Sequence, residues 1–367
     1  MLKRVAIDKL QAGMILGRTV YKEDMSALLE EGTELTTLLI QSLQERGVAS
    51  VLIFIEDKRD ENEPPISIPD RSPNLDPAYV EAYGESLEEV RGLFEAARRN
   101  GKVDVQKAEQ LTDNVLPLAT GAKAVTHLHN MASAGDYLLH HSLHVAILAG
   151  LMGNWLHMPK SKRRRLVTAG LLMDVGNLRL APDLLAKRAP LLPEERRLMQ
   201  KHPTLGYEMI TGTAFGQDWD IAHAILQHHE RDDGSGYPNG TKKVDIDEFA
   251  RILAILDMYD AMGTDRPYAK RRSPFDAFHI LSDDVLEGKL DARFGFTFIR
   301  KVSHSLHGCW VSLTNGVRGK IIYIDETRLT SLPVVQTETG DFIDLNNRKL
   351  GIHIDHLLTS REVDEHP

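Results

Sequence analysis

The sequence predicts a mainly α protein: a helical bundle with a small α/β module before it and a small β appendage after it. Three observations predict this. Apolar residues recur at helical spacing through most of residues 116–306. Short apolar runs of strand character occupy both flanks. A charged, proline-rich stretch at 58–76, KRDENEPPISIPDRSPNLD, separates the first flank from the rest.

In chain order, Val20-Tyr21 and Val51-Leu52-Ile53-Phe54-Ile55 read as strands. Leu35 to Glu45 reads as a helix capped by Thr33, with Gly47 just past its end. Residues 1–57 are thus the α/β module. Residues 58–115 are a linker and a connecting helix, with helical spacing and outward charges over 77–113. Between 116 and 306 the candidate helices are 136–156, 161–173, 193–213, 218–230, 246–263 and 274–286, and short loops between them make a bundle. Beyond Gly308 the period changes. Val311, Leu313, Ile321, Ile322, Tyr323, Val334 and Val335 lie in short runs broken by Asn315-Gly316, Gly319 and Pro333, so 307–358 reads as the β appendage. The tail TSREVDEHP is expected to fray.

Composition narrows the function. The 367 residues are 42% hydrophobic and 26% charged, as in an ordinary globular protein. A net charge of −9 gives no broad basic field for DNA or RNA, so an anionic ligand needs local Arg or Lys. The single cysteine, Cys309, excludes an intrachain disulfide framework and fits a reducing compartment. No apolar run is long enough to predict a membrane span or a signal core, so a cytoplasmic protein is expected.

The chemistry concentrates in His and Asp residues that interrupt or abut apolar helical faces: His141, Asp174, His202, His228, His229 and Asp257. Asp174 follows Gly170-Leu171-Leu172-Met173, and Asp257 follows Ile252 to Leu256. A carboxylate there should be buried, and a buried charge must be paired or metal-bound. Taken singly, each histidine reads more simply as a hydrogen-bonded core residue, and each aspartate as a salt-bridge partner. Jointly they resemble a mixed imidazole and carboxylate site suited to Fe, Mn, Zn or Ni, with room for two metals. His228-His229 also opens the run HHERDDGSGYP, whose glycines and Pro238 shape a turn. Arg266 and Lys270 fit a solvated basic loop with Arg271 and Arg272, or an anion contact, and Arg163-Arg164-Arg165 fits a solvated helix face.

The run HHERDDGSGYP at 228–238 matches the pattern HHExxDGxGYP of the HD-GYP family, a branch of the HD metal-dependent phosphohydrolases. HSLHVAILA, LLMDVGNLRLAPDLL, KHPTLGYEMI and LDMYDAMGTDRPYAKRRSP follow the family's remaining motifs in order, and the likeness covers about residues 116–306. The flanking module and appendage also resemble extensions common on this family. The resemblance implies an HD-type helical bundle and hydrolysis of cyclic di-GMP, a bacterial second messenger, or else a catalytically weakened domain that binds a nucleotide or protein partner. It implies the metal ligands His141, Asp174, His202, His228, His229 and Asp257, with Asp174 bridging and catalytic. Two divalent transition metals are implied, Fe or Mn favoured over Zn or Ni. Arg266 and Lys270 would contact phosphate and serve catalysis; Gly236 and Tyr237 would meet the substrate. The partner is a cyclic dinucleotide rather than DNA, RNA or a membrane, with room for a homodimer or a signalling-protein partner.

Three positions depart from the family pattern. The His of the His-Asp pair is Met173, a soft, neutral thioether. The Lys that follows in the same motif is Asn177, which keeps a hydrogen bond and loses the charge. Some family members hold a third metal through a carboxylate one turn before the first histidine; here Tyr137 stands there, with Asp136 one residue earlier, so two metals is the upper expectation.

Overall fold

A computed structural model describes residues 2–17, 20–21, 27–29, 32–46, 48, 50–54, 76–121, 124–131, 137–187, 189–264, 272–325, 327–359 and 362–363. The chain divides into two compact units, Met1–Ser67 and Ile68–Pro367.

The first unit contains β1 (Leu2–Ala6), β2 (Ile15–Leu16), β3 (Val20–Tyr21), β4 (Ala27–Leu29), α1 (Thr37–Glu45) and β5 (Ser50–Phe54). β5 is the middle strand of an antiparallel sheet ordered β1-β5-β2, while β3 and β4 form a separate antiparallel pair. Alternation in β5 sends Val51 and Ile53 into a small core with Leu16, Leu35 and Leu43. The cap of α1 is Thr36, whose side chain accepts from the Leu39 N–H, and not Thr33 as the sequence suggested. The main chain at Thr33 is already in use, its carbonyl accepting from Leu16 N–H at 2.8 Å.

The second unit opens with α2 (Pro77–Asn100), capped by Asp76 and ended by Gly101 in the left-handed region at φ 70°. The predicted helical run over 77–113 is therefore two helices, and Asp104 caps the second, α3 (Val105–Val115). The bundle continues through α4 (Ala124–Met131), α5 (Tyr137–Trp155), α6 (Lys160–Leu172), α7 (Pro182–Leu185), α8 (Pro193–Met199), α9 (His202–Ile210), α10 (Ala214–Gln217), α11 (Trp219–Gln227), α12 (Glu248–Gly263), α13 (Pro274–Leu286) and α14 (Ala292–Ser305). α5 is apolar nearly all round, and every residue from His141 to Gly153 is buried between α6, α12 and their neighbours. The predicted 193–213 helix breaks into α8 and α9, because Pro203 sits in a first turn where it lacks nothing. That break places His202 at the very start of α9.

The chain closes with β6 (Trp310–Leu313), β7 (Arg318–Tyr323), β8 (Val334–Thr337), β9 (Phe342–Asp344) and β10 (Ile354–Leu357), an antiparallel sheet ordered β10-β6-β7-β8-β9. Its inward residues Val311, Leu313, Ile321 and Val335 join the same apolar core as the helices. Fraying does not begin at Thr359, whose hydroxyl donates to the Glu362 carboxylate at 2.7 Å while Arg318 donates to the Glu362 carbonyl at 2.9 Å. Among the described residues no helix is long and apolar enough to cross a membrane.

Candidate metal centre

Five stretches of the bundle converge on one point. His141 lies in α5, Asp174 just beyond α6, His202 at the start of α9, His228-His229 directly after α11, and Asp257 in α12. The turn after Asp174 can press against α9 only because residue 176 is glycine. A Cβ there would lie 2.0 Å from the His202 carbonyl oxygen and 2.4 Å from the Gly206 nitrogen. That close approach brings the Asp174 carboxylate to His202.

His202 Nδ1 donates to the Met199 carbonyl at 2.8 Å, and His228 Nδ1 donates to the Ile225 carbonyl at 2.9 Å. Each tie fixes the ring and leaves Nε2 with a lone pair facing inward. The two Nε2 atoms are 3.1 Å apart, and Asp174 Oδ1 lies 3.1 Å from one and 3.7 Å from the other. Together with His229, these groups offer ligand atoms that all lie within 4.8 Å of one another. Lone pairs and a carboxylate crowded this closely call for a shared cation, so the residues present fit a divalent metal. Burial alone would raise the Asp174 carboxyl; the His202 and His228 imidazoles beside it outweigh burial and hold it well below the ordinary range. Enclosure, and then the neighbouring His228, hold His229 neutral, which suits a ligating imidazole. Its ring stacks beneath Tyr237, centroids 4.6 Å apart and planes at 24°.

His141 faces the other side of Asp174. Its Nε2 is 3.4 Å from Asp174 Oδ2 and 3.2 Å from Asp257 Oδ1. Its Nδ1 is 2.7 Å from Asp260 Oδ2, and the second Asp260 oxygen is 2.8 Å from His144 Nδ1. His144 Nε2 is in turn 2.9 Å from the Tyr83 hydroxyl on α2. Burial lowers the His141 pKa, but hydrogen bonds to Asp257 and Asp260 prevail and push it up to about 10. Tyr137, where a third-metal carboxylate would stand, instead stacks its ring on His141 at 5.2 Å and 15°.

The departures from the family pattern have definite places. Met173 is fully buried and belongs to the apolar core. Asn177 is 7% exposed, and its Oδ1 has no hydrogen-bond partner among the described residues. Arg266, Lys270 and Asp136 lie outside the described residues.

In the loop after His229, Gly236 permits a close approach within its own chain: a Cβ would lie 2.4 Å from the His229 oxygen and 2.5 Å from the Arg231 nitrogen. Tyr237, joined to Pro238 by a cis peptide, is the residue of this turn whose ring covers His229. Glu230, buried to 2% exposure, accepts from Asn239 N–H at 2.8 Å, Thr241 N–H at 2.9 Å and the Thr241 hydroxyl at 3.2 Å. The sequence did not single out Glu230, Asp260, His144 or Tyr83. Asp260 and His144 stand three residues after Asp257 and His141, on the same helix faces, and that spacing was the available signal.

A helical bundle whose core holds converging His and Asp side chains defines a class of metal-site domain. The family model described as HD domain matches residues 111–294, half of the sequence. The chain belongs to the HD domain family. It is 29% identical over 234 residues to a cyclic di-GMP phosphodiesterase of Pseudomonas aeruginosa, covering 64% of this chain and 56% of that protein. It is 36% identical over 121 residues to a cyclic di-GMP phosphodiesterase response regulator of Xanthomonas campestris, covering 33% and 32%. A 3'3'-cGAMP-specific phosphodiesterase of Vibrio cholerae is 30% identical over 168 residues, covering 45% and 38%. The chain thus spans between 32% and 56% of the length of these relatives.

Proposed function

We propose that this protein is a metal-dependent cyclic dinucleotide phosphodiesterase whose substrate is cyclic di-GMP. The observation that carries the reading is the set of Asp174, His202, His228 and His229, with ligand atoms within 4.8 Å of one another and two rings pre-oriented by main-chain carbonyls. These four would hold one divalent metal. His141 and Asp257 would hold a second, sharing Asp174. Imidazole and carboxylate donors favour Fe or Mn here and also accept Zn or Ni. Bound divalent metals supply Lewis acidity toward the phosphodiester and lower the pKa of water. The protein's own groups do the rest. Carbonyl ties hold His202 and His228 in the ligating tautomer, and Asp174 keeps its charge between the two groups. Tyr237 offers a ring face to a guanine, and Arg266 and Lys270 offset phosphate charge in an otherwise acidic protein. The names of the relatives supply the substrate class, with cyclic di-GMP named for two and cGAMP for one.

The test is elemental analysis of protein purified without chelator, followed by turnover of cyclic di-GMP with cGAMP alongside. Bound metal and phosphodiester cleavage, both lost in Asp174→Ala, are expected. Fe- or Mn-loaded protein that leaves cyclic di-GMP intact at high enzyme concentration would overturn the reading.

One observation favours a second reading, a nucleotide-binding or protein-interaction signalling domain without hydrolysis. The position for a metal-binding histidine is occupied by Met173, sealed in the core, and the position for a phosphate-binding lysine by neutral Asn177. Hydrolysis that disappears in Asp174→Ala would remove this alternative.

A further inference from the structure

We propose that Tyr83 is a positioning residue for His141, acting through His144 and Asp260. The inference rests on the reading of His141 as a metal ligand and extends the site to a helix that contributes no ligand. Four side chains form one hydrogen-bonded line. Tyr83 Oη is 2.9 Å from His144 Nε2, His144 Nδ1 is 2.8 Å from Asp260 Oδ1, and Asp260 Oδ2 is 2.7 Å from His141 Nδ1. All four are buried. The line begins on α2, crosses α5 and α12, and returns to α5.

The direction of donation follows from the chemistry of the members. The Asp260 carboxylate can only accept, so His141 and His144 both donate through Nδ1. A neutral His144 that donates through Nδ1 presents Nε2 as an acceptor, and the Tyr83 O–H is the donor it meets. The Tyr83 oxygen then has a lone pair for His140 Nδ1, 2.7 Å away. Each ring is thereby held in one orientation, and the His141 Nε2 faces Asp174 and Asp257. A carboxylate that orients a ligating histidine does so only as well as its own second oxygen is held. Here that oxygen is held by His144, and His144 by Tyr83. Burial and the Asp260 charge both raise the Tyr83 hydroxyl pKa, which keeps its proton available for donation.

A matched control stands one turn earlier on the same helix. The Tyr79 hydroxyl is buried and has no hydrogen-bond partner among the described residues. Removing it strips an equivalent atom from α2 without touching the line. The experiment uses the full chain, freed of metal with a chelator and titrated with Mn2+, with free Mn2+ read by electron paramagnetic resonance. His141→Ala defines the part of Mn2+ binding that depends on His141. Tyr83→Phe is expected to weaken that part roughly tenfold, the lower end for a group outside the ligands. Tyr79→Phe is expected to leave it unchanged. Imidazole N–H proton resonances give an independent readout, with the His144 signal shifting in Tyr83→Phe and staying in Tyr79→Phe.

If Tyr83→Phe titrates like wild type while His141→Ala does not, positioning by Tyr83 is wrong and the metal reading stands. If both tyrosine variants weaken Mn2+ equally, the effect belongs to helix packing and the proposal falls. If His141→Ala itself leaves Mn2+ binding intact, His141 is no ligand and the proposal falls with that assignment.

Discussion

His202 and His228 are anchored by main-chain carbonyls; His141 is anchored by a carboxylate that other side chains must hold in turn. The two halves of the centre therefore differ in what preserves them. A carbonyl tie comes with the helix end and survives any substitution that leaves the helix intact. The His141 tie depends on Asp260, His144 and Tyr83, three side chains from three helices. The same half carries the substitution at 173. The difference teaches that the two halves answer to different changes, one to the loss of a helix end and the other to the loss of any of three distant side chains.

The largest effect expected is that of Asp174→Ala, which touches both halves. Turnover should fall by roughly a thousandfold or more, since metal-ion chemistry supplies several kcal/mol and each 1.4 kcal/mol is a factor of ten. A variant that keeps most of its cyclic di-GMP hydrolysis would break the shared-carboxylate picture. Next comes His229→Ala, which strikes the carbonyl-anchored half and should weaken metal by at least about ten- to a hundredfold. Unchanged stoichiometry in elemental analysis would remove His229 from the ligand set.

Third is the restoring pair Met173→His with Asn177→Lys, which should raise both metal content and turnover. It carries a cost that sharpens the comparison. A histidine at a fully buried position is stranded until metal arrives, so the metal-free variant should lose about 1–3 kcal/mol in urea melts. Added Mn2+ should return that stability by binding only the folded state. No gain in metal content would mean that residue 173 no longer faces the centre.

The smallest effect concerns pH in the metal-free protein. His141 stands near 10 when folded, against about 6.5 for an unperturbed histidine. A raised folded value gives stabilisation that is complete below about 6.5 and is lost as pH rises through about 10. The stability deficit of His141→Gln relative to wild type should therefore narrow as pH climbs across that interval. A deficit that stays flat would show that Asp257 and Asp260 do not charge the ring.

Much of the helical architecture was legible because the pattern is local. The apolar circumference of α5 and the polar interruptions at Asp174 and Asp257 are written in consecutive residues. The break before His202 was also written, as Pro203, but a continuous apolar period masked it. The Asp260 contact was not legible. It joins residues 119 apart in the chain, and the three-residue spacing of Asp260 after Asp257 places it on the same helix face without naming its partner. Tyr83 is harder still, since its helix resembles any amphipathic connector until α5 is laid against it. The loop after His229 was legible as a turn from its glycines, but the tight fit of Gly236 against the backbone of residues 229–231 was not.

The buried carboxylate of Glu230 has a consequence for how such chains are recognised. It closes a loop by accepting from two main-chain amides and a hydroxyl, which pair its own buried charge. Glu230 and Gly236 would thus be retained by a descendant that had stopped turning over substrate, because losing either would unmake the loop. The most recognisable string in this sequence thus joins two kinds of residue, Glu230 and Gly236 that close the loop and His228 and His229 that face the centre.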